Sequence, residues 1–158
     1  MNLPFDFVID GPSLNMAVHC EPILRSLPQW FGMESTLIQY VAGIEALPTF
    51  VAKARKTVAG FLTIKHHNEY AAELYVMGTH PELHRRGIGR RLVDQAEAYL
   101  KQNAVEFLQV KTLGPSCRNE AYERTRAFYM ALGFRPLEEF KNLWNSENPC
   151  LVMVKCIK

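Results

Sequence analysis

The sequence predicts a single α/β domain over residues 1–158, a mixed sheet of about six to seven strands with helices on both faces. Two patterns carry this expectation. Three strand-like runs follow one another at 50–54, 58–65 and 71–79 with short connections, which is the pattern of a meander. A strongly amphipathic helix and a further strand come next, and a strand–helix–strand crossover places a parallel pair inside the sheet. Length agrees with one core: at 158 residues, folding buries roughly 70% of the surface that the unfolded chain exposes.

Residues 5–9 read as a first short strand, ended by the turn pair Gly11-Pro12. Ser13 is placed to cap a helix running to about Cys20, after which Pro22, Pro28 and Gly32 punctuate the chain. Residues 34–47 carry Leu37, Ile38, Val41 and Ile44 at helical spacing. The strands at 50–54 and 58–65 are joined by the polar link Arg55-Lys56-Thr57, and the strand at 71–79 closes at His80-Pro81. The clearest helix starts near Gly87 and lines up Ile88, Leu92, Val93, Ala96 and Leu100 on one stripe. Residues 105–112 alternate as a strand that Gly114-Pro115 stops. Residues 119–132 follow as a helix with Ala121, Phe128 and Leu132 inward and Gly133 just past its end. Residues 134–140 and 151–157 are the closing strands.

Eighteen basic and sixteen acidic residues leave a formal charge of +2. The arginines cluster at one helix start, without interleaved aromatics or a wider basic face, so no nucleic acid partner is expected. Cys20, Cys117, Cys150 and Cys156 form no CxxC pair and no cluster with histidine, which points to idle thiols and no metal. No basic-then-apolar leader opens the chain, and no run approaches 18 apolar residues. A cytoplasmic protein that makes no membrane contact is the expectation.

The strongest local signal is His84-Arg85-Arg86-Gly87-Ile88-Gly89-Arg90-Arg91, where a strand ends and a helix begins. Glycine lets backbone approach a ligand closely, and the first helical turn presents unpaired N–H groups beside the positive end of the helix dipole. Together these make an anion site suited to phosphate oxygens, with Arg85, Arg86, Arg90 and Arg91 adding charge. A Walker loop is excluded because four residues between glycines and a Gly-Lys-Ser/Thr are missing; the dinucleotide fingerprint lacks its third glycine. The blander alternative is a solvated basic helix start.

The loop resembles the Gln/Arg-x-x-Gly-x-Gly/Ala signature of the GCN5-related N-acetyltransferases (GNAT), with His84 at the first position as a departure. A second segment, Tyr129-Met130-Ala131-Leu132-Gly133-Phe134, resembles the family's Tyr-x-x-x-Gly-Phe at the end of a helix. The resemblance covers residues 50–140 well and the N-terminal third poorly. It implies a fold whose strands splay around an acetyl-CoA site. It also implies an acetyl-CoA-dependent transfer to a primary amine of a small molecule or protein, by direct attack in a ternary complex. A silent acetyl-CoA sensor is the alternative, and a homodimer is left open. The stretch from Pro136 to Leu151 resembles a bacterial subgroup and names no acceptor.

What the chemistry demands is a route for a proton. An amine of pKa about 10.4 is neutral in only about one molecule in 2,500 at pH 7, so reaching the nucleophilic form costs roughly 4.6 kcal/mol. The resemblance implies Tyr129 as donor to the departing thiolate. It implies Glu73, which precedes Gly87 by 14 residues, as base; a salt-bridged Glu73 with water as acceptor is the other reading. The backbone of Met77, Gly78 and Thr79 is implied to meet the thioester and pantetheine. His84, Arg85, Arg86, Gly87, Ile88, Gly89 and Arg90 are implied to hold the pyrophosphate. Strand alternation puts Glu73, Tyr75, Met77 and Thr79 on one face unless a bulge intervenes. Tyr122 stands where many relatives have a coenzyme-contacting asparagine, and Asn119 is the candidate substitute; Arg124 and Arg126 are further candidates for a phosphate. The pair His66-His67 reads as a solvated turn, and His80 as a turn residue or a substrate contact. Trp30, Phe31, Tyr40 and Trp144 fall where the family walls its acceptor, although core packing explains each equally.

Overall fold

A computed structural model describes residues 6–158. Its strands are β1 (Val8–Ser13), β2 (Thr49–Ala54), β3 (Thr57–His66), β4 (Ala71–Thr79), β5 (Phe107–Leu113), β6 (Arg135–Asn145) and β7 (Asn148–Cys156). Its helices are α1 (Ala17–Arg25), α2 (Pro28–Phe31), α3 (Glu34–Ala46), α4 (Ile88–Gln102) and α5 (Glu120–Ala131), with a 3-10 turn at Pro81–Leu83. The strands form a seven-stranded sheet in the order β1-β2-β3-β4-β5-β7-β6. The β4–β5 pair is parallel, whereas β1–β2, β2–β3, β5–β7 and β6–β7 are antiparallel, so the sheet is mixed as predicted. Two compact units divide the chain: one runs to Lys65 and resumes over Tyr75–Tyr99, the other joins His66–Leu74 to Leu100–Lys158.

In the first unit both sheet faces are covered. Cys20, Ile23, Leu24 and Leu27 from α1 and just after it, with Leu37 and Ile44 of α3, pack on Val51, Phe61 and Val76. The opposite face receives α4, whose Ile88, Leu92, Val93 and Ala96 are at most 1% exposed. Phe61 and Gly60 are neighbours on β3 and therefore point to opposite faces. Gly60 is where α4 comes closest: a Cβ there would lie 2.9 Å from Ile88 Cγ2 and 3.2 Å from Gly78 O. Gly60→Val is therefore expected to destabilise the fold by about 1–3 kcal/mol through overpacking, read as a lower denaturation midpoint at unchanged slope. A midpoint equal to wild type would show that α4 yields freely at this contact.

The first elements depart from the sequence reading. Phe5 lies outside the described residues. The first strand does not end at Gly11-Pro12 but continues through it to Ser13, with a register shift against β2 between Asp10 and Ser13. It can do so because β1 is the sheet edge, where the N–H that proline lacks breaks no ladder. Gly11 has φ 114°, and a Cβ on it would meet Thr49 O at 2.7 Å. Ser13 consequently caps nothing, and α1 begins at Ala17 after Met16. Nor does Pro22 interrupt that helix: α1 runs on to Arg25, held by Ile23 and Leu24, which are 2% and 0% exposed. In α3, Leu37 and Ile44 are buried as expected, while Ile38 is 56% exposed.

In the second unit, β5 pairs with β7 from Phe107↔Cys156 to Leu113↔Cys150, and β6 pairs with the far side of β7. The N-terminal half of β4 pairs in parallel with β5 from Ala71↔Phe107 to Leu74↔Val110. Helix α5 starts where Asn119 Oδ1 accepts from Tyr122 N at 3.2 Å, and the chain leaves it at Gly133, with φ 97°. Strand β6 is longer than the sequence suggests because Asn145 Oδ1 accepts from Glu147 N and Asn148 N, closing a tight turn at its far end.

Candidate functional site

The loop before α4 has the local geometry that its glycines and arginines suggest. Arg85 and Gly87 take positive φ, 64° and 82°, on either side of Arg86. Alternation of this kind turns successive N–H groups toward one concavity. The first bond from the loop into α4 runs from Arg91 N to Gly87 O at 3.1 Å, so the amides of Ile88, Gly89 and Arg90 precede the helical ladder. A Cβ on Gly87 would find nothing within 4 Å, so the chain leaves open space on that side. Ile88, 1% exposed, pins the turn to the core beneath.

Side chains around the loop divide into two groups. His84 Nε2 donates to Thr79 O at 2.9 Å and stands edge-on to Trp30 at 6.2 Å, tying the end of β4 to the loop. Its partner is thus a local backbone group. Arg91 is turned elsewhere: its guanidinium reaches Phe7 O at 3.3 Å and lies over the Phe7 ring at 4.6 Å. That separates it from Arg85, Arg86 and Arg90 of the same run.

At the end of β4 the alternation is interrupted, as a bulge there would require. Tyr75 packs against Gly43 of α3, where a Cβ would come within 2.4 Å of its ring. Thr79 Oγ1 instead lies 3.3 Å from the Cβ position of Gly60, on the face that holds Ile88. Residues 75 and 79 should share a face in a regular strand and lie on opposite faces here, so a bulge-like irregularity separates them. Gly78 faces Leu27, Ile23 and Phe61, at 3.1–3.3 Å from its would-be Cβ. His80 N closes the strand by donating to Ala59 O at 2.9 Å. His80 also borders a recess of about 210 Å³ with Val58, Ala59 and Leu83, smaller than the usual 300–1,000 Å³ ligand pocket. Tyr75 leads into an aromatic series, with Tyr40 at 5.5 Å from it and Phe31 at 5.6 Å from Tyr40.

In the second unit, Glu73 is buried, its side chain 5% exposed, and its Oε1 gathers three partners. His67 Nε2 lies at 2.7 Å, Gln109 Nε2 at 3.1 Å and Lys111 Nζ at 3.3 Å. Gln109 is the register partner of Glu73 on β5, which explains its place in the cluster. His67 lies in the exposed connection after β3, as the sequence suggests, and its ring also meets Glu73. Its contact with Gln109 was out of reach, since nothing local ties His67 to a residue 42 positions away on β5.

Tyr129 is 6% exposed on α5, with the Phe128 and Phe134 rings at 5.3 and 5.5 Å. Its carbonyl accepts from Phe134 N at 3.0 Å, so the tight turn at Gly133 fixes the last helical turn. Asn119 spends Oδ1 on the helix cap. Arg126 is committed to the protein, donating to Leu113 O at 2.7 Å. Burial pushes the Tyr122 phenol above its ordinary range. The four cysteines are free thiols. Burial pushes Cys20 up to about 12 and Cys150 to about 11, the latter drawn down by Lys111 and up by Glu73, so neither supplies a thiolate nucleophile near neutral pH. Among the described residues no group of three or more His, Cys, Asp or Glu is arranged to hold a metal ion, and no helix is long and apolar enough to cross a membrane.

Comparison with known proteins places the fold. A model of the acetyltransferase (GNAT) domain matches residues 45–136. No curated protein matches the sequence. Many solved structures share the fold. The ribosomal-protein-S18-alanine N-acetyltransferase from Escherichia coli superposes with a TM-score of 0.77 at 16% identity, covering 97% of this chain and 95% of its own. The aminoglycoside 6'-N-acetyltransferase from Enterococcus faecium gives 0.74 at 18%, covering 96% and 97%. A GNAT family acetyltransferase from Elizabethkingia anophelis, solved with acetyl-CoA bound, gives 0.71 at 15%, covering 95% and 97%. Identities this low speak for the fold alone.

Proposed function

Because the chain belongs to the GNAT acetyltransferase family, we propose that it moves the acetyl group of acetyl-CoA to a primary amine of a small molecule or protein, working as one catalytic domain over residues 1–158. The observation that carries the reading is the loop before α4. Positive φ at Arg85 and Gly87, open space over Gly87 and three amides ahead of the helical ladder make a receptor for a pyrophosphate. Arg85, Arg86 and Arg90 supply charge; Ile88 and Gly89 supply amides. His84 holds the loop to Thr79 and so fixes it against the strand end at Met77, Gly78 and Thr79, whose backbone meets the pantetheine and the thioester oxygen. Asn119 contributes a further polar group to the cofactor from the start of α5.

In the transfer itself, the amine sheds a proton, attacks the thioester carbon and displaces the thiolate of coenzyme A. Glu73 takes up the proton of the ammonium, Tyr129 protonates the thiolate, and the second proton shed by the nitrogen as the amide forms restores the phenol. Amides aimed at the thioester oxygen stabilise the developing oxyanion, an effect worth about 2.7–4 kcal/mol per donor in other enzymes. The acceptors named for the structural neighbours, a ribosomal-protein alanine and an aminoglycoside, guide the choice of amines to try.

The experiment is thiol release from acetyl-CoA in the presence of spermidine, an aminoglycoside, an alanine-terminated peptide and phenethylamine, with the acetylated product identified by mass spectrometry. Expected is coenzyme A release in equal amount to an acetylated amine for at least one of them. Tight binding of acetyl-CoA with no turnover on a broad amine collection would replace this reading with that of a silent acetyl-CoA-binding module.

A further inference from the structure

In the first compact unit a row of aromatic rings runs from the loop before α4 across a core that is already closed beneath it. The layer below is Leu37, Ile44, Val51, Phe61 and Val76, each at most 6% exposed. Trp30 and Phe31 of α2, Tyr40 of α3 and Tyr75 of β4 lie on that layer half-buried. They interlock edge to face, Phe31 with Tyr40 at 5.6 Å and Tyr40 with Tyr75 at 5.5 Å. Trp30, next to Phe31 in the chain, stands edge-on to His84 at 6.2 Å, and His84 is bonded to Thr79 O. The row thus begins at the strand end and loop that the acetyl-transfer reading gives to acetyl-CoA. Half-exposed rings grouped beside a ligand loop are surface that a ligand can cover.

Charge at the other end of the row comes from Lys65. Its Nζ lies 5.8 Å from the centroid of the Tyr75 ring. Lys65 is exposed, and among the described residues its one polar contact is with that ring, not with a carboxylate. The acidic residues on either side of α2, Glu21 and Glu34, are both held by Arg25, at 3.0 and 2.9 Å. A polyamine laid along the row would set a second ammonium beside Lys65, where like charges repel. An aromatic body would find ring edges and faces to stack on, and an anion beyond it would find the ammonium of Lys65.

We propose that this row binds the body of the acceptor, and that the acceptor is an aromatic amine carrying an anionic group far from its nitrogen. This deepens the acetyl-transfer reading and rests on it. The length is suitable: Tyr75 and Thr79 are four residues apart on β4, at most about 13 Å of strand at ~3.3 Å per residue. An arylalkyl amine with a carboxylate on its ring spans most of that path. The rings and Lys65 choose the acceptor and take no part in moving its protons.

The probes are 4-(2-aminoethyl)benzoate, phenethylamine, which lacks only the carboxylate, and spermidine. The first measurement needs no turnover. With coenzyme A present, the NMR ring signals of Tyr40 and Tyr75 should shift and saturate as 4-(2-aminoethyl)benzoate is added. Ring signals that stay still overturn the proposal, whether or not the protein acetylates anything. Rates follow: kcat/KM should be highest for 4-(2-aminoethyl)benzoate, lower for phenethylamine and lowest for spermidine. Spermidine in first place sinks the proposal. Lys65→Glu, at an exposed position, should cut kcat/KM for the carboxylated amine about tenfold through KM, spare phenethylamine, and leave acetyl-CoA affinity by calorimetry unchanged. The proposal also fails if the ratio between the two aromatic amines is the same in Lys65→Glu as in wild type. If no amine turns over while the tyrosine rings still report the titration, the acetyl-transfer reading fails and the row stands as a site for anionic aromatic amines.

Discussion

Gly89→Glu should lose acetyl-CoA binding by at least about 100-fold, a change of about 2.8 kcal/mol at 1.4 kcal/mol per factor of ten. Gly89 is the second residue of α4 and is not among the residues with positive φ, so a side chain is tolerated by the backbone there. Helix propensity and the dipole both favour an acidic residue in a first turn over glycine, so the variant should fold at least as stably as the parent. The same two properties that suit glutamate to the helix make it a competitor for the ligand: its carboxylate covers the amides and repels the phosphates. Gly87 offers no such clean separation. At φ 82° any L side chain strains the turn by roughly 1–2 kcal/mol, so lost binding there mixes with lost structure. Calorimetry on a folded Gly89→Glu protein that still binds acetyl-CoA with parental affinity would remove the pyrophosphate from this loop. A weaker version of the same logic applies to salt: raising it should reduce affinity through Arg85, Arg86 and Arg90 but leave a residue of binding through the oriented amides.

What the sequence revealed and what it hid follow from the range of each signal. Helix α4, strand β4 and the loop between them are written in short-range features: a 3.6-residue stripe, Gly87 and Gly89, and the stop at His80-Pro81. These survive because the local rule and the tertiary environment agree there. Pro12 and Pro22 mislead because each proline rule carries a condition that only the fold supplies, an edge position for the first and a buried apolar face for the second. The irregularity between Tyr75 and Thr79 lies deeper still. Nothing in Tyr75-Val76-Met77-Gly78-Thr79 declares that the face changes; Gly43 of α3 and Gly60 of β3, far off in sequence, make it visible. His67 is the extreme case. Its pairing with Glu73 is short in sequence, but its meaning depends on Gln109 and Lys111 being brought alongside by the parallel register of β4 and β5.

Tyr129→Phe should lower turnover by about 10²–10⁴ if proton donation to the thiolate is fully developed in the transition state. The substitution is the conservative one for a 6% exposed ring: the contacts with Phe128 and Phe134 are made by the aromatic carbons and remain. Stability should change by about 1 kcal/mol, the net worth of one ordinary hydrogen bond, because the hydroxyl is the only group removed. Acetyl-CoA affinity should be close to parental, since the pyrophosphate site proposed above lies elsewhere, at the start of α4. Loss of kcat without loss of affinity is the signature of a group that acts only as the C–S bond breaks. A thiol of pKa about 8.5 leaves tolerably as its anion, which sets the lower end of the range as the reference point for this reaction. The pH profile supplies the second readout. If deprotonation of a phenol causes the alkaline fall of the parent, the Phe variant runs flat through that region while keeping the acidic limb set by the base. A Phe variant with parental turnover and an unchanged alkaline limb would make Tyr129 a core residue of α5 and leave water as the source of the thiol's proton.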